Sequence, residues 1–331
     1  MKYNIHNIFR LFFIICWAAG CSAGFVDLNP LKDRKDYTQA RALYDNGQYR
    51  QAVTELTEYI EKTKNVKRRE ARAYRLLGKS YEQLGQLNKA LETYLEALEF
   101  YPNNVPLLLE AARLYQSTGL TRRSMELYEH ALQEEPDSLE ALAGQAANYS
   151  AIGFYSKARK FYDRFFELNP AAEPLYRARY AQTFLAQHNF QEAFINITMA
   201  LVDDKTNTDF WLLSARALYG LHKPQEAMQS LDTALLLAPN HPQLLAYKAL
   251  WQYQDSDYKN SLATAKKLLA LNPENQLALF IQSLNWIKQG KKQQARQNWQ
   301  QIVTLNPSSF IGKTAQSLLN GKNPSSFANF L

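Results

Sequence analysis

The sequence predicts an all-α protein in which pairs of antiparallel helices stack side by side. Large apolar residues recur at three- and four-residue steps, so each helical segment has one buried face. Residues 71–104 hold two such segments around Gly85, and Pro102 ends the second because proline lacks a backbone N–H and clashes with the preceding turn. The same arrangement returns every 34 residues along most of the 331-residue chain. Because one helix pair cannot bury its own apolar face, the copies are expected to stack as a solenoid.

Residues 71–104 give the pattern in its clearest form. Small residues stand where the two helices must cross closely, and large ones stand on the buried faces. The eight pattern positions are Tyr74, Leu77, Gly78, Tyr81, Ala90, Tyr94, Ala97 and Pro102. This spacing resembles the tetratricopeptide repeat, a helix–turn–helix unit. The resemblance implies a right-handed superhelical solenoid of about eight repeats, closed by a C-terminal capping helix.

The predicted parts of the chain follow from stepping this pattern along the sequence. They are a signal peptide at 1–20, a lipidated cysteine and tether at 21–32, the solenoid at 33–309, and a capping helix with a tail at 310–331. The repeats are expected near 33–66, 71–104, 105–138, 139–172, 174–207, 208–241, 242–275 and 276–309. The fifth repeat is the most divergent, and it ends in the polar segment 203–207 where most of the others have proline.

The amino-terminal segment has the pattern of a secretory leader. A basic start is followed by the apolar stretch 11–18 and by Ala18-Ala19-Gly20-Cys21. This ending resembles a bacterial lipoprotein box, which implies cleavage before Cys21 and lipidation of its thiol with acyl chains such as palmitate. Ala18 departs from that family, which usually has Leu there. An ordinary cleaved signal peptide and an uncleaved apolar anchor are the alternatives. Ser22, in place of the Asp that retains such proteins in the inner membrane, favours the outer membrane and the periplasm.

Charge and motifs argue against most other classes of function. The formal net charge is +7, but acidic and basic residues are interleaved, and no run of five basic residues occurs. Nucleic acid is therefore not an expected partner. No histidine or cysteine spacing indicates a metal site, and no phosphate-binding glycine loop or nucleophile motif occurs. We expect no cofactor, no metal and no small-molecule substrate, and an enzyme is the least favoured class.

The candidate binding surface is the concave groove that the resemblance implies. In this family, positions two, five, nine and twelve of each first helix line the groove, and they share one helix face. In the first three repeats the basic and aromatic residues at these positions are Arg34, Tyr37, Arg41, Tyr44, Arg72, Arg75, Lys79 and Arg113. In the last full repeat the residues are Leu277, Phe280, Leu284 and Ile287. The groove is thus expected to change from basic and aromatic to apolar.

A different contact is expected at each end of this groove. Because arginine grips carboxylates, often bidentately, the basic end is expected to bind an acidic peptide or a C-terminal carboxylate. A solvated basic face is the alternative, and the asparagines that family members use for C-terminal carboxylates are missing. The apolar end is expected to be covered by the tail of the chain or by a partner, since large apolar patches are uncommon on soluble monomers.

Together these features predict a membrane-anchored scaffold or adaptor that binds one or more proteins of the bacterial cell envelope. The chain resembles two lipoprotein groups of this kind. One recruits proteases to cell-wall hydrolases, and the other, pilotin-like, assists type IV pilus or secretin assembly. A passive structural spacer is a further alternative, against which the apolar groove residues Phe280 and Ile287 argue.

Overall fold

The computed structural model describes residues 30–63 and 70–321, and all regular secondary structure in these ranges is helical. The predicted signal peptide, Cys21 and the tail after Gly321 lie outside the described residues. The seventeen helices are α1 (Pro30–Asp45), α2 (Tyr49–Thr63), α3 (Glu70–Gln83), α4 (Leu87–Phe100), α5 (Val105–Ser117), α6 (Thr121–Glu134), α7 (Leu139–Ala151), α8 (Tyr155–Leu168), α9 (Pro174–Ala186), α10 (Phe190–Asp203), α11 (Thr208–Gly220), α12 (Pro224–Leu237), α13 (Pro242–Gln254), α14 (Tyr258–Leu271), α15 (Gln276–Lys288), α16 (Lys292–Leu305) and α17 (Phe310–Leu319). The predicted all-α class is confirmed.

The turn inside a helix pair places one residue in the left-handed region of backbone space. In the second pair this residue is Gly85, with φ of 71°. Three later pairs use His188, His222 and Ser256 instead, with φ of 57°, 58° and 64°. An L-residue there carries a steric cost that glycine avoids. The tight turn is therefore kept even where glycine is absent.

The chain forms two compact units, Met1–Pro136 and Asp137–Leu331. In the described part of the first unit, α1–α6 pack in sequence around a core that includes Leu56, Tyr74, Tyr94 and Leu107. A Cβ on Gly78 would lie 2.2 Å from the ring of Tyr94, which is fully buried. α3 and α4 can therefore cross this closely because residue 78 is glycine and has no side chain.

The second unit contains α7–α17, and its last helix closes the stack. Ala315 and Leu318 of α17 join the core cluster that holds Phe280, Leu284 and Trp299. Ser309 caps α17 by accepting a hydrogen bond from the backbone N–H of Gly312. The terminal helix thus covers an apolar surface that the preceding pair would otherwise leave open.

Within the described ranges, residues 30–63 and 70–321, no helix is both long enough and apolar enough to cross a bilayer.

Candidate peptide-binding groove

A cavity in the first unit collects most of the predicted basic and aromatic residues. It lies between α1 and α3 and has a volume of about 380 Å³. Its lining residues are Tyr37, Arg41, Tyr44, Asp45, Arg72, Arg75, Leu76 and Lys79. Arg34 belongs to α1, but its side chain lies outside the described residues. The groove positions of the first two repeats are therefore brought together in space.

A buried carboxylate, Glu110 of α5, organises the floor beside this cavity. Arg75 donates to Glu110 Oε1 from Nε and Nη2, at 3.1 and 3.0 Å. The Nζ of Lys79 lies 2.9 Å from the same oxygen. Arg113 donates to Glu110 Oε2 at 3.1 Å and also to Glu82. Glu110 is only 6% exposed, whereas the side chains of its three basic partners are 35–42% exposed, so these ion pairs lie where the interior of the unit meets the solvent.

The protonation states of this cluster follow from the same contacts. Burial alone would raise the pKa of Glu110, but hydrogen bonds and charge from Lys79, together with Arg113 and Arg75, outweigh it and lower that pKa. Burial raises the pKa of Tyr94, and the hydrogen bond of 2.7 Å that its hydroxyl donates to Glu82 raises it further. Glu110 is therefore ionised and Tyr94 neutral at neutral pH.

These contacts correct the prediction of an uncompensated basic surface. Arg75, Lys79 and Arg113 were expected to bind a partner's carboxylates, but Glu110 and Glu82 already bind all three. The role of Glu110 was not predicted from the sequence. Its spacing to Arg113, three residues on a largely apolar helix, was the available signal.

Two arginines remain available at the mouth of the cavity. Arg72 is exposed and has no ion-pair partner among the described residues. Arg41 lies 3.7 Å from Asp45, and both side chains are more than 60% exposed. Exposed pairs of this kind contribute only about 0–1 kcal/mol, so a partner's carboxylate can replace Asp45 at little cost. The rings of Tyr37 and Tyr44 line the same cavity.

The predicted apolar end of the groove is covered from within the chain, which is one of the two alternatives expected for it. Phe280 and Leu284 are each 1% exposed, so they are not available for the predicted contact with a peptide. They are buried because α13, α16 and α17 all pack against α15. Leu277 and Ile287 are half-buried and retain some accessible surface.

Two family models, both described as tetratricopeptide repeat, match the chain. One matches residues 37–105 and 212–276, and the other matches residues 277–309. Together they cover half of the chain.

Individual relatives share either a short segment or the fold. Anaphase-promoting complex subunit 3 of Dictyostelium discoideum is 35% identical over 79 residues, which are 24% of this chain and 8% of that protein. The chain thus spans less than a tenth of this relative. A tetratricopeptide repeat protein from Parabacteroides merdae superposes with a TM-score of 0.58 at 18% identity, over 76% of this chain and 98% of that one. The pilF protein of Pseudomonas aeruginosa superposes with a TM-score of 0.54 at 16% identity, over 65% of this chain and 97% of that one. Both structural likenesses concern the fold alone.

Proposed function

Because the chain belongs to the tetratricopeptide repeat family, we propose that it is a membrane-anchored scaffold that binds a partner protein of the bacterial cell envelope in the groove between α1 and α3. Proteins of this family are in general non-enzymatic scaffolds for protein interactions. The observation that carries the proposal is the 380 Å³ cavity, whose mouth presents Arg41 and Arg72 beside Tyr37 and Tyr44.

The chemistry of this mouth favours an acidic segment of the partner. Each arginine presents a planar set of donors that matches a carboxylate, and the tyrosine rings offer apolar contact with a polar tip. Tyrosine and arginine are also enriched at the energetic centres of protein interfaces. Arg75 and Lys79 form ion pairs with Glu110 beside the cavity, so their charges are already balanced without a partner.

Reversing the charge of the mouth tests this proposal. The double variant Arg41→Glu and Arg72→Glu should weaken partner binding by at least about tenfold, because two attractions become repulsions. Added salt should weaken binding of the unaltered protein in the same direction. The measurement is quantitative mass spectrometry of proteins that co-purify with each variant from membranes.

The matched control for this experiment is Arg122→Glu with Arg123→Glu. Both arginines are exposed on α6, so the net charge changes equally at a site away from the cavity. The control should retain the partner that the mouth variant loses. Equal partner recovery with both variants, or equal loss, would refute binding at the mouth. If the protein is a passive spacer, neither variant should lose a specific partner. Recovery of pilus or secretin components with the unaltered protein would identify an assembly factor.

The proposed anchor makes a separate prediction. Cys21→Ser should abolish both acyl labelling and release of the protein from its leader by the lipoprotein-specific peptidase, because the thiol that would carry the acyl chains is replaced by a hydroxyl. Cys16→Ser, within the proposed leader, should change neither result. Undiminished labelling and membrane association of the Cys21 variant would exclude this anchor.

A further inference from the structure

The second unit contains a cleft between α10, α11 and α12 that is separate from the proposed peptide groove. Its volume is about 490 Å³, which is within the usual range for small-molecule sites. The apolar lining residues come from α10 and α11 and are Phe194, Leu201, Val202, Trp211 and Leu218. The lining residues from α12 are all polar and are Glu226, Gln229, Ser230 and Thr233. The cleft is therefore amphipathic.

The cleft lies where the next repeat has an ion pair. Lys248 of α13 donates a hydrogen bond to Asp232 of α12 at 2.6 Å. The residues one repeat earlier, 34 positions before these two, are Ser214 of α11 and Thr198 of α10. Both line the cleft, and their side chains are too short to fill the space that the lysine occupies in the next repeat.

Two buried hydroxyl groups in the cleft lack a hydrogen-bond partner. Ser214 is 3% exposed and Ser230 is 8% exposed, and neither side chain forms a hydrogen bond with any other residue that the structure describes. Two repeats later the equivalent residues are Gln282 and Asn298, and the Asn298 amide donates to Gln282 at 2.9 Å. Because an unpaired buried polar group costs free energy, the two serines indicate a ligand that supplies hydrogen bonds.

Trp211 gives the cleft a fixed aromatic surface. Its indole Nε1 donates to the backbone oxygen of Lys205 at 2.8 Å, which holds the ring in place. Since this N–H is the only hydrogen-bonding group of the side chain, the ring offers a ligand apolar contact alone. A ligand that satisfies the whole cleft therefore needs both an apolar face and hydrogen-bonding groups.

The charges around the cleft favour a ligand without charge. Lys205 and Glu226 line it, and Glu226 also lies 3.2 Å from the Nζ of Lys223. Asp203 and Asp204 directly precede Lys205 in the chain. Two cationic groups and three carboxylates nearly cancel, so an anionic or a cationic ligand would gain little attraction here.

Pyranose sugars have the required chemistry. Their C–H groups form an apolar face that can lie against an aromatic ring, and their hydroxyl groups both donate and accept hydrogen bonds. We propose that the cleft between α10, α11 and α12 binds a neutral saccharide. The saccharide would be a ligand and not a substrate, because Glu226 is the single carboxylate among the lining residues and no histidine or cysteine accompanies it there.

Titration calorimetry of the full chain with three neutral trisaccharides tests the proposal. At least one of cellotriose, maltotriose and triacetylchitotriose should bind with a dissociation constant of about 1 mM or lower. Ser214→Ala with Ser230→Ala keeps the space but removes two hydrogen-bonding groups, so it should weaken this binding about tenfold or more. An occupant held by apolar contact alone would bind that variant as well as it binds the original protein.

A second variant fills the cleft without leaving polar groups unpaired. Ser214→Gln with Ser230→Asn introduces the bonded pair of α15 and α16, and it should abolish saccharide binding while helical circular dichroism stays unchanged. The control is Thr54→Ala with Thr57→Ala, which removes two exposed hydroxyl groups from α2 in the first unit and should leave binding intact. Failure of the original protein to bind any of the three sugars, or unchanged affinity in either cleft variant, would overturn the proposal.

Discussion

Glu110→Gln should destabilise the first unit by about 2 kcal/mol. Removing one member of a buried ion pair costs about 3–5 kcal/mol, but Arg75, Lys79 and Arg113 are partly exposed, and solvent screening reduces the loss. Denaturant unfolding and hydrogen exchange of the α3 and α5 amides measure the effect. Glu167→Gln is the control, since that carboxylate pairs with Arg164 at the surface and should cost less than about 0.5 kcal/mol. Equal free energies of unfolding for Glu110→Gln and the wild-type protein would show that the charged cluster makes no net contribution to stability.

The same carboxylate predicts a dependence on pH. The folded-state pKa of Glu110 lies below its ordinary value of 4.5. The contribution of ionised Glu110 to the free energy of unfolding is therefore present above the unfolded-state pKa and is lost as the pH falls through the folded-state pKa. The stability difference between the original protein and Glu110→Gln should be full at neutral pH and should narrow on acidification. A difference that stays constant from pH 7 into the acid range would contradict this assignment.

Gly78→Ala should destabilise the first unit by about 2–3 kcal/mol, although alanine is the better helix former. The new Cβ would lie 2.2 Å from Cε1 of Tyr94. That ring is fully buried, and its hydroxyl is bonded to Glu82, so it cannot move aside without losing the bond. Thermal unfolding measures the loss.

A second change distinguishes this clash from a general effect of the substitution. In a Tyr94→Leu background the ring is gone, so Gly78→Ala should cost less than it does alone. Equal costs in the two backgrounds would show that the ring and the new methyl group do not collide.

Local features of the fold were predictable from the sequence because they depend on nearby residues. The small residue at Gly78 and the helix stop at Pro102 follow from spacing along one helix pair. The absence of a proline after the fifth repeat could also be seen in the sequence. The local structure that takes its place could not be predicted. There the Asp204 carboxylate accepts hydrogen bonds from the backbone N–H and the hydroxyl of Thr206, and Asn207 caps α11.

The candidate site was less predictable because it depends on which helices become neighbours. Arg75 and Glu110 are 35 residues apart, and only the stacking of α3 beside α5 brings them together. Phe280 and Leu284 occupy groove positions by number, yet neighbouring helices bury them. A position in the repeat therefore predicts a helix face, whereas exposure and pairing depend on the side chains of the adjacent pairs.

Site-specific photocrosslinking from position 37 tests most directly whether a partner protein lies in the groove between α1 and α3. A photoreactive phenylalanine in place of Tyr37, which lines the cavity, should form an adduct with one envelope protein in living cells. The same group in place of Glu126, which is exposed on α6, should not form that adduct. Adding Arg72→Glu should remove the adduct from position 37. Identical adducts from both positions, or none from position 37, would contradict the proposed binding groove.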